Sequence, residues 1–370
     1  ETAFLTVCLL HNRGASFTLT VGGIKEEKRK VFHSMIQVQH LQKEFRIHQA
    51  RAGLAGAFRD LFSREYKSVK AVDDLSFYVE EGEMFALIGE NGAGKSTTIK
   101  MLTGILTPSA GQIKINGYVP FKQREEYVRS IGVVFGQRSQ LWWDLSPLES
   151  FRLLKNVYKV DDVEGEKWLN RLIEELDIGS FVSQPVRKLS LGQRMRCEVA
   201  ASLIHKPRLL FLDEPTVGLD VLVKQKIREF LLNLNETENT TILLTTHDVT
   251  DIEALCKRVL VMDKGKLIFD GLLTDLKEKW GNGTEVSFQM KKRTRADELR
   301  QVLGEMPCEI EQVNDYALRV KVPRSEEMLP FVLSTVMSSF EVSDVKILEA
   351  STEDIVRNIY SADAEVASHG

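Results

Sequence analysis

Between residues 35 and 272, short apolar runs alternate with longer stretches in which apolar residues recur every third or fourth position. Buried strands followed by covering helices produce that alternation, so the chain predicts an α/β fold. "MIQVQHL" (35–41), "LSFYVEE" (75–81), "MFALIG" (84–89) and "GQIKINGY" (111–118, ending in a turn) read as strands, and "KSTTIKMLTGIL" (95–106) as a helix. From about Val128 to Ser190 the period lengthens. "SPLESFRLLKNVYKV" and "GEKWLNRLIEELDIG" carry helical spacing, which predicts a mainly helical subdomain over 128–190. Strands return at "RLLFLD" (208–213), "TTILLTTH" (240–247), "RVLVMD" (258–263) and "KLIFDG" (266–271).

A third pattern starts after Leu273. "TEVSFQM", "CEIEQV", "YALRVKV" and "VKILEA" read as strands; "RADELRQVLGEM", "EEMLPFVLSTVMSSF" and "TEDIVRNIY" read as helices. They predict a small α+β accessory domain over 273–370, with no glycine loop or polar cluster of its own. Its pattern does not choose between dimerisation, contact with a partner and regulation. Residues 1–34 differ in character from the rest of the chain, and a foreign leader and a genuine extension both fit them. Their opening "ETAFLTVCLL" has no basic flank and is a poor signal peptide. Within 46–65, "LAGAFRDLF" has the spacing of a short amphipathic helix, suited to lie on a partner or to cover a sheet edge.

Composition narrows the classes. A chain of 370 residues exceeds one compact core, so two domains are expected. A net charge of −4 gives no electrostatic case for nucleic acid as a partner. Cys8, Cys197, Cys256 and Cys308 form no CxxC pair, which predicts neither a disulfide framework nor a cysteine metal site and suits a reducing cytosolic setting. No run reaches the ~18–20 apolar residues that span a bilayer. Work at a membrane must therefore go through another polypeptide.

The chemistry begins at "GENGAGKST". Gly89, Glu90, Asn91, Gly92, Ala93, Gly94, Lys95 and Ser96 fit G-x-x-x-x-G-K-[ST], a phosphate-binding loop between a buried strand and a helix. Glycines let backbone N–H groups close on an anion, and the helix start adds unpaired donors and a positive dipole end. Lys95 is expected to reach the β- and γ-phosphates of a nucleoside triphosphate, Ser96 to hold Mg²⁺, and Thr97 and Thr98 to line the nucleotide. In "RLLFLDEP", Asp213 ends an apolar strand, where α/β sheets place ligand groups, and is expected to hold Mg²⁺ through water. Glu214 comes next, placed to polarise an attacking water. "LSLGQ" (189–193) puts Ser190, Gly192 and Gln193 at another helix start, a second anion-facing surface that suggests service to a neighbour's nucleotide.

With these motifs in order, the chain resembles the ATP-binding cassette (ABC) ATPases over roughly residues 35–272. Further matches are "VVFGQ" ending at Gln137, similar to the family's Q-loop; "VGLD" ending at Asp220, similar to its D-loop; and "LLTTHD", with His247 at the switch-histidine position. Tyr66, 23 residues before Gly89, stands where the family places an aromatic on the adenine. The resemblance implies a P-loop NTPase of the ABC-ATPase fold: a RecA-like core, an antiparallel β subdomain and a helical subdomain, with the α+β domain after them. It also implies a head-to-tail pair, with ATP and Mg²⁺ between one chain's P-loop and the other's Ser190 and Gly192. Asp220 would couple the two sites, Gln137 would touch Mg²⁺ and report to a membrane partner, and His247 would orient the water with Glu214.

Glu90, where many members carry proline or serine, adds a negative charge near the phosphates and is expected to weaken nucleotide affinity modestly, whereas Leu191, in place of the signature's usual glycine, is a departure without an expected loss of activity. The single cassette and its wording look most like bacterial exporter subunits for drugs, lipids or polysaccharides. The expectation is a peripheral ATPase at the cytoplasmic membrane face, pairing with a second copy and driving a separate permease. Trp142 and Trp143, just past Gln137, are expected to help dock that permease. A non-transport ABC switch and an unrelated P-loop kinase or GTPase are the rival classes.

Overall fold

The structure, a computed structural model, describes residues 34–48, 66–136, 138–280, 283–323 and 327–349. The leader, the stretch expected as an amphipathic helix within 46–65 and the "TEDIVRNIY" helix lie outside the described residues.

A six-stranded sheet organises the first body. Its strands are β3 (Met84–Gly89), β5 (Ile131–Phe135), β6 (Leu209–Asp213), β7 (Thr241–Thr245), β8 (Arg258–Asp263) and β9 (Lys266–Leu272), in the order β5-β6-β7-β3-β8-β9. All neighbours are parallel except β9, which runs antiparallel to β8. Parallel strands are covered on both faces, which explains why Leu209, Leu210, Phe211 and Leu212 are all fully buried. Along β3 the side chains alternate between two cores. Phe85 and Leu87 pack with one, Ala86 and Ile88 with the other.

The first core is closed by an antiparallel sheet of β1 (Ser34–His48), β2 (Tyr66–Glu80) and β4 (Ala110–Ile115), ordered β2-β1-β4, and by α1 (Lys95–Leu102). A short helix, α2 (Arg124–Val128), leads into β5. The second core is closed by helices: α3 (Pro147–Tyr158), α4 (Asp162–Glu175), α5 (Leu191–Leu203), α6 (Val221–Glu238) and α7 (Val249–Leu255). Ser146 and Glu149 form a capping box at the start of α3, and Asp161 caps α4. Lys155 on α3 is buried and meets Glu166 on α4 at 3.1 Å. The Trp168 indole N–H donates to the Leu203 carbonyl at 2.7 Å, fastening α4 to α5.

The helical block starts later than Val128, because Ile131–Phe135 is the edge strand β5. "IGVVF" is too short and too β-branched to continue a helix, and it pairs along its length with β6.

Helix α8 (Leu273–Trp280) still belongs to the first body: Leu273 and Leu276 are buried in its core. A separate core begins with β10 (Thr284–Met290), then α9 (Ala296–Leu303), β11 (Glu309–Asn314), β12 (Ala317–Val322), α10 (Met328–Ser339) and β13 (Val342–Glu349). The order β11-β12-β10-β13, antiparallel throughout, is a βαββαβ ferredoxin-like arrangement. No helix among the described residues is long and apolar enough to cross a membrane.

Candidate functional site

The phosphate loop leaves β3 at Gly89 and enters α1 at Lys95. Gly89 and Gly94 are fixed by their neighbours: a Cβ on Gly89 would lie 2.5 Å from the Met262 carbonyl, and one on Gly94 2.5 Å from that of Ala71. Gly94, the N-cap of α1, also has φ 105, which a side chain would strain. The Gly265 N–H donates to the Ala93 carbonyl at 3.0 Å, pinning the loop to the β8–β9 turn. At Gly92, φ is 90 and nothing lies within 4 Å of where a Cβ would point. Among the described residues, the backbone N–H groups of Gly92, Gly94, Lys95 and Ser96 donate to no protein acceptor. The result is an open cup of unpaired donors, and phosphate oxygens fit it.

Lys95 folds across this cup, its ammonium donating to the carbonyls of Gly89 at 2.6 Å and Glu90 at 3.1 Å. Burial lowers its pKa, and the charges of Glu214 and Asp213 oppose that shift. Ser96 is exposed beside it and Thr97 is half-buried. Thr98 is fully buried and its hydroxyl donates to the Gly94 carbonyl at 3.0 Å, so it braces the loop from behind rather than lining the cup.

Asp213 ends β6 at the carboxyl edge of the sheet, its Oδ1 accepting from the Thr245 hydroxyl at 2.6 Å. Glu214 has left-handed backbone, φ 57, and its N–H donates to the Thr245 carbonyl at 2.9 Å. Its Oε2 lies 2.9 Å from His247 Nδ1. An ionised carboxylate only accepts, so Nδ1 carries the proton of this pair. Gly136 presses on the same turn: its N–H donates to the Asp213 carbonyl at 2.8 Å, and a Cβ there would sit 2.6 Å from the Glu214 carbonyl. Lys95, Asp213, Glu214 and His247 are thus built around one sheet edge. Asp213 and Ser96 offer the hard oxygen donors that suit Mg²⁺.

The second anion-facing turn has other neighbours. Ser190 is exposed and N-caps α5, accepting from the Gln193 N–H at 3.2 Å while Gln193 Oε1 accepts from the Ser190 N–H at 2.9 Å. Gln193 therefore shapes the turn as half of a capping box. Leu191 lies against Gly218 and Gly192 against Val223. Asp220 caps α6 through the Val223 N–H at 3.0 Å. The signature and D-loop motifs are consequently in direct packing contact. Gln137 lies outside the described residues. Tyr66 begins β2 opposite His48, and its side chain is likewise outside them.

Several supporting residues carry no sequence signal of their own. Asp251, fully buried, receives Arg228 Nε at 2.5 Å and the Thr216 hydroxyl, tying the segment after His247 to the one after Glu214. Asp248 accepts from Lys224 at 2.5 Å; burial raises its pKa, but Lys224 and the hydrogen bonds from Thr250 together outweigh that and the net shift is downward. The chain from Arg138 to Gln140 borders a cavity of about 260 Å³, lined also by Arg124, Tyr158, Glu198 and His205. Trp142 and Trp143, 44% and 53% exposed, lie just past that segment, and the Arg194 guanidinium stands 5.7 Å from the Trp143 ring centroid.

Residues 72–217 match the family described as ABC transporter. The chain is 34% identical over 217 residues to the ABC transporter ATP-binding protein NatA of Bacillus subtilis, covering 59% of this chain and 88% of that one. It is 33% identical over 234 residues to the bacitracin transport ATP-binding protein BcrA of Bacillus licheniformis, covering 63% and 74%. A solved ATP-binding subunit of an ABC transporter superposes with a TM-score of 0.56 at 28% identity, covering 66% of this chain and 93% of that one. With its phosphate cup, carboxylate–histidine pair and signature turn on one such fold, the chain belongs to the ABC transporter family as an ATP-binding ATPase subunit.

Proposed function

We propose that two copies of this chain bind two ATP molecules head to tail and hydrolyse them to power export through a separate membrane-spanning permease. The observation that carries this reading is the division of the anion-binding surface. The phosphate cup is braced by Ala71, Met262 and Gly265, whereas the exposed Ser190 turn is braced by Gly218 and Val223. A second copy supplies the Ser190 turn that each cup lacks. In that arrangement Lys95 and the cup amides hold the β- and γ-phosphates, Ser190 and Gly192 of the facing copy close on the γ-phosphate, and Tyr66 stacks on adenine. Ser96, Asp213 and Gln137 would hold Mg²⁺, which neutralises phosphate charge when bound. Glu214 accepts a proton from the attacking water, with His247 setting its orientation.

The permease side is supported by the exposed tryptophans and by a separate cavity that Arg124 and Arg138 help to line. Exposed aromatic anchors suit a short helix from a partner. Export is favoured by relatives such as the bacitracin transport protein. The proposed setting is the cytoplasmic face of the cell membrane.

Glu214→Gln tests the pair. It keeps the shape of the site and removes the proton acceptor, so MgATP should convert the purified variant from monomer to dimer on light-scattering chromatography. A variant that stays monomeric at saturating MgATP defeats the head-to-tail reading. Co-expression with any membrane-spanning protein found encoded by a neighbouring gene separates transport from a free-standing switch, since only a transport subunit should co-purify with such a protein and gain ATP turnover.

A further inference from the structure

Glu198 lies in the middle of α5 and is 4% exposed, a carboxylate where a helix facing a core ordinarily carries an apolar residue. Its two oxygens are divided over one short piece of chain: Oε1 accepts from the Ser139 hydroxyl, and Oε2 accepts from the Gln140 N–H at 3.0 Å. Gln140 returns a third bond, its side-chain amide donating to the Glu198 carbonyl at 3.0 Å. One turn closer to the start of α5, Arg194 covers Trp143. The chain from 139 to 143 is therefore fixed to α5 at several successive points. The other flank of this crossing, Gly136, is fixed to the sheet at Asp213.

We propose that Glu198 is a positioning residue that locks the 139–141 crossing onto the Ser190 helix, so that the two nucleotide sites of a pair are coupled through one buried carboxylate within each chain. The inference rests on the head-to-tail reading. Ser190 is eight residues before Glu198 on the same helix, about 12 Å at the α-helical rise. A helix braced along that length moves as a unit, so a shift of the crossing, whose other flank Gly136 is bonded to Asp213 at the chain's own phosphate cup, is carried to the Ser190 turn at the partner's nucleotide. A buried carboxylate suits this role because it takes several donors at once and leaves each unsatisfied if the crossing slips.

The test uses the purified full chain and compares wild type with Glu198→Ala, Glu198→Gln and the double variant Ser139→Ala/Gln140→Ala. ATP turnover is measured against ATP concentration, and binding of a fluorescent ATP analogue without turnover is measured separately. Glu198→Ala should bind the analogue within about twofold of wild type, lose about tenfold or more in kcat, and lose the sigmoid ATP dependence of a coupled pair. Glu198→Gln, which still accepts from Gln140 and can bond Ser139, should retain both. If Glu198→Ala does not fold, the double variant carries the test, because it strips the side-chain part of the clamp from the outside and should flatten the ATP curve in the same way. Undiminished kcat and unchanged sigmoidicity in the alanine variants overturn the inference, as does a glutamine variant that is no better than alanine. Those outcomes presuppose a cooperative wild type. A wild type that turns over at full rate as a monomer removes the head-to-tail reading itself, and the inference with it.

Discussion

Glu214 Oε2 and His247 Nδ1 stand 2.9 Å apart, which joins the end of β6 to the end of β7, with the Glu214 charge felt by Lys95 of the phosphate cup. A carboxylate held by an imidazole has one oxygen oriented and one left for other work. Removing the carboxylate's basicity by Glu214→Gln should lower ATP turnover by ~10²–10⁴-fold. His247→Ala leaves the base present and unoriented, so its loss should fall at the lower end of that range. Phosphate release under saturating MgATP measures both, and a His247→Ala enzyme with wild-type kcat would remove histidine from the site.

Lys95 is the cation committed to the cup, where it holds the carbonyls of Gly89 and Glu90. A charged donor to phosphate contributes about 1.5–3 kcal/mol, so Lys95→Ala should weaken nucleotide binding by about tenfold to a hundredfold. Isothermal titration with a non-hydrolysed ATP analogue reads this directly.

Gly136 has no room for a methyl group: its Cβ would sit 2.6 Å from the Glu214 carbonyl and 3.0 Å from that of Asp213. Both contacts are backbone and cannot rotate away. Gly136→Ala should displace the turn that aims Glu214, lowering kcat by about tenfold or more while nucleotide affinity changes little, since the Lys95 cup is built elsewhere. An affinity loss as large as the rate loss would show that the turn and the cup are not separable.

His205 gives an acid-side prediction. Its Nε2 lies 2.9 Å from the Ile131 carbonyl, so Nε2 carries the proton, while Nδ1 is buried with no hydrogen-bond partner among the described residues. The ring stacks on Tyr158 at 3.9 Å. Burial lowers its pKa from 6.5 to about 4, against the raising effect of the Ile131 bond. The fold therefore holds the neutral form. This stability is fully present above the unfolded pKa and is lost as pH falls through the window from 6.5 towards about 4. His205→Phe keeps the stack and removes the titration, so its urea midpoint should change less than that of wild type between about pH 7 and about pH 5. Equal shifts in the two proteins would refute the assignment.

Much of the candidate site is legible in the sequence because its signals are local. Glycine spacing before Lys95 reflects backbone shapes that few other residues adopt, and four consecutive apolar residues before Asp213 reflect a strand covered on both faces. The partners of Glu198 and Asp251 are not legible. "RCEVAASL" reads as an ordinary helix until the fold brings Ser139 and Gln140 to its buried face, and "TDIEALC" gives no hint that Asp251 meets Arg228 and Thr216. Such contacts depend on tertiary placement, which a periodicity of two or 3.6 does not encode. β5 merges into the helical block for a related reason: five residues are too few to establish a period. The βαββαβ elements after 283 are largely readable as pieces, yet their order in the sheet comes only from pairing.

The backbone of Glu214 has a consequence for anyone selecting variants of this protein for heat resistance. At φ 57 a glutamate sits in a region that glycine enters freely and asparagine enters more readily than most residues. Left-handed geometry disfavours a β-carbon by roughly 1–2 kcal/mol. A screen that rewards thermal survival alone would therefore drift towards Glu214→Gly or Glu214→Asn, and it would enrich sturdier proteins that grip ATP and hydrolyse it only slowly.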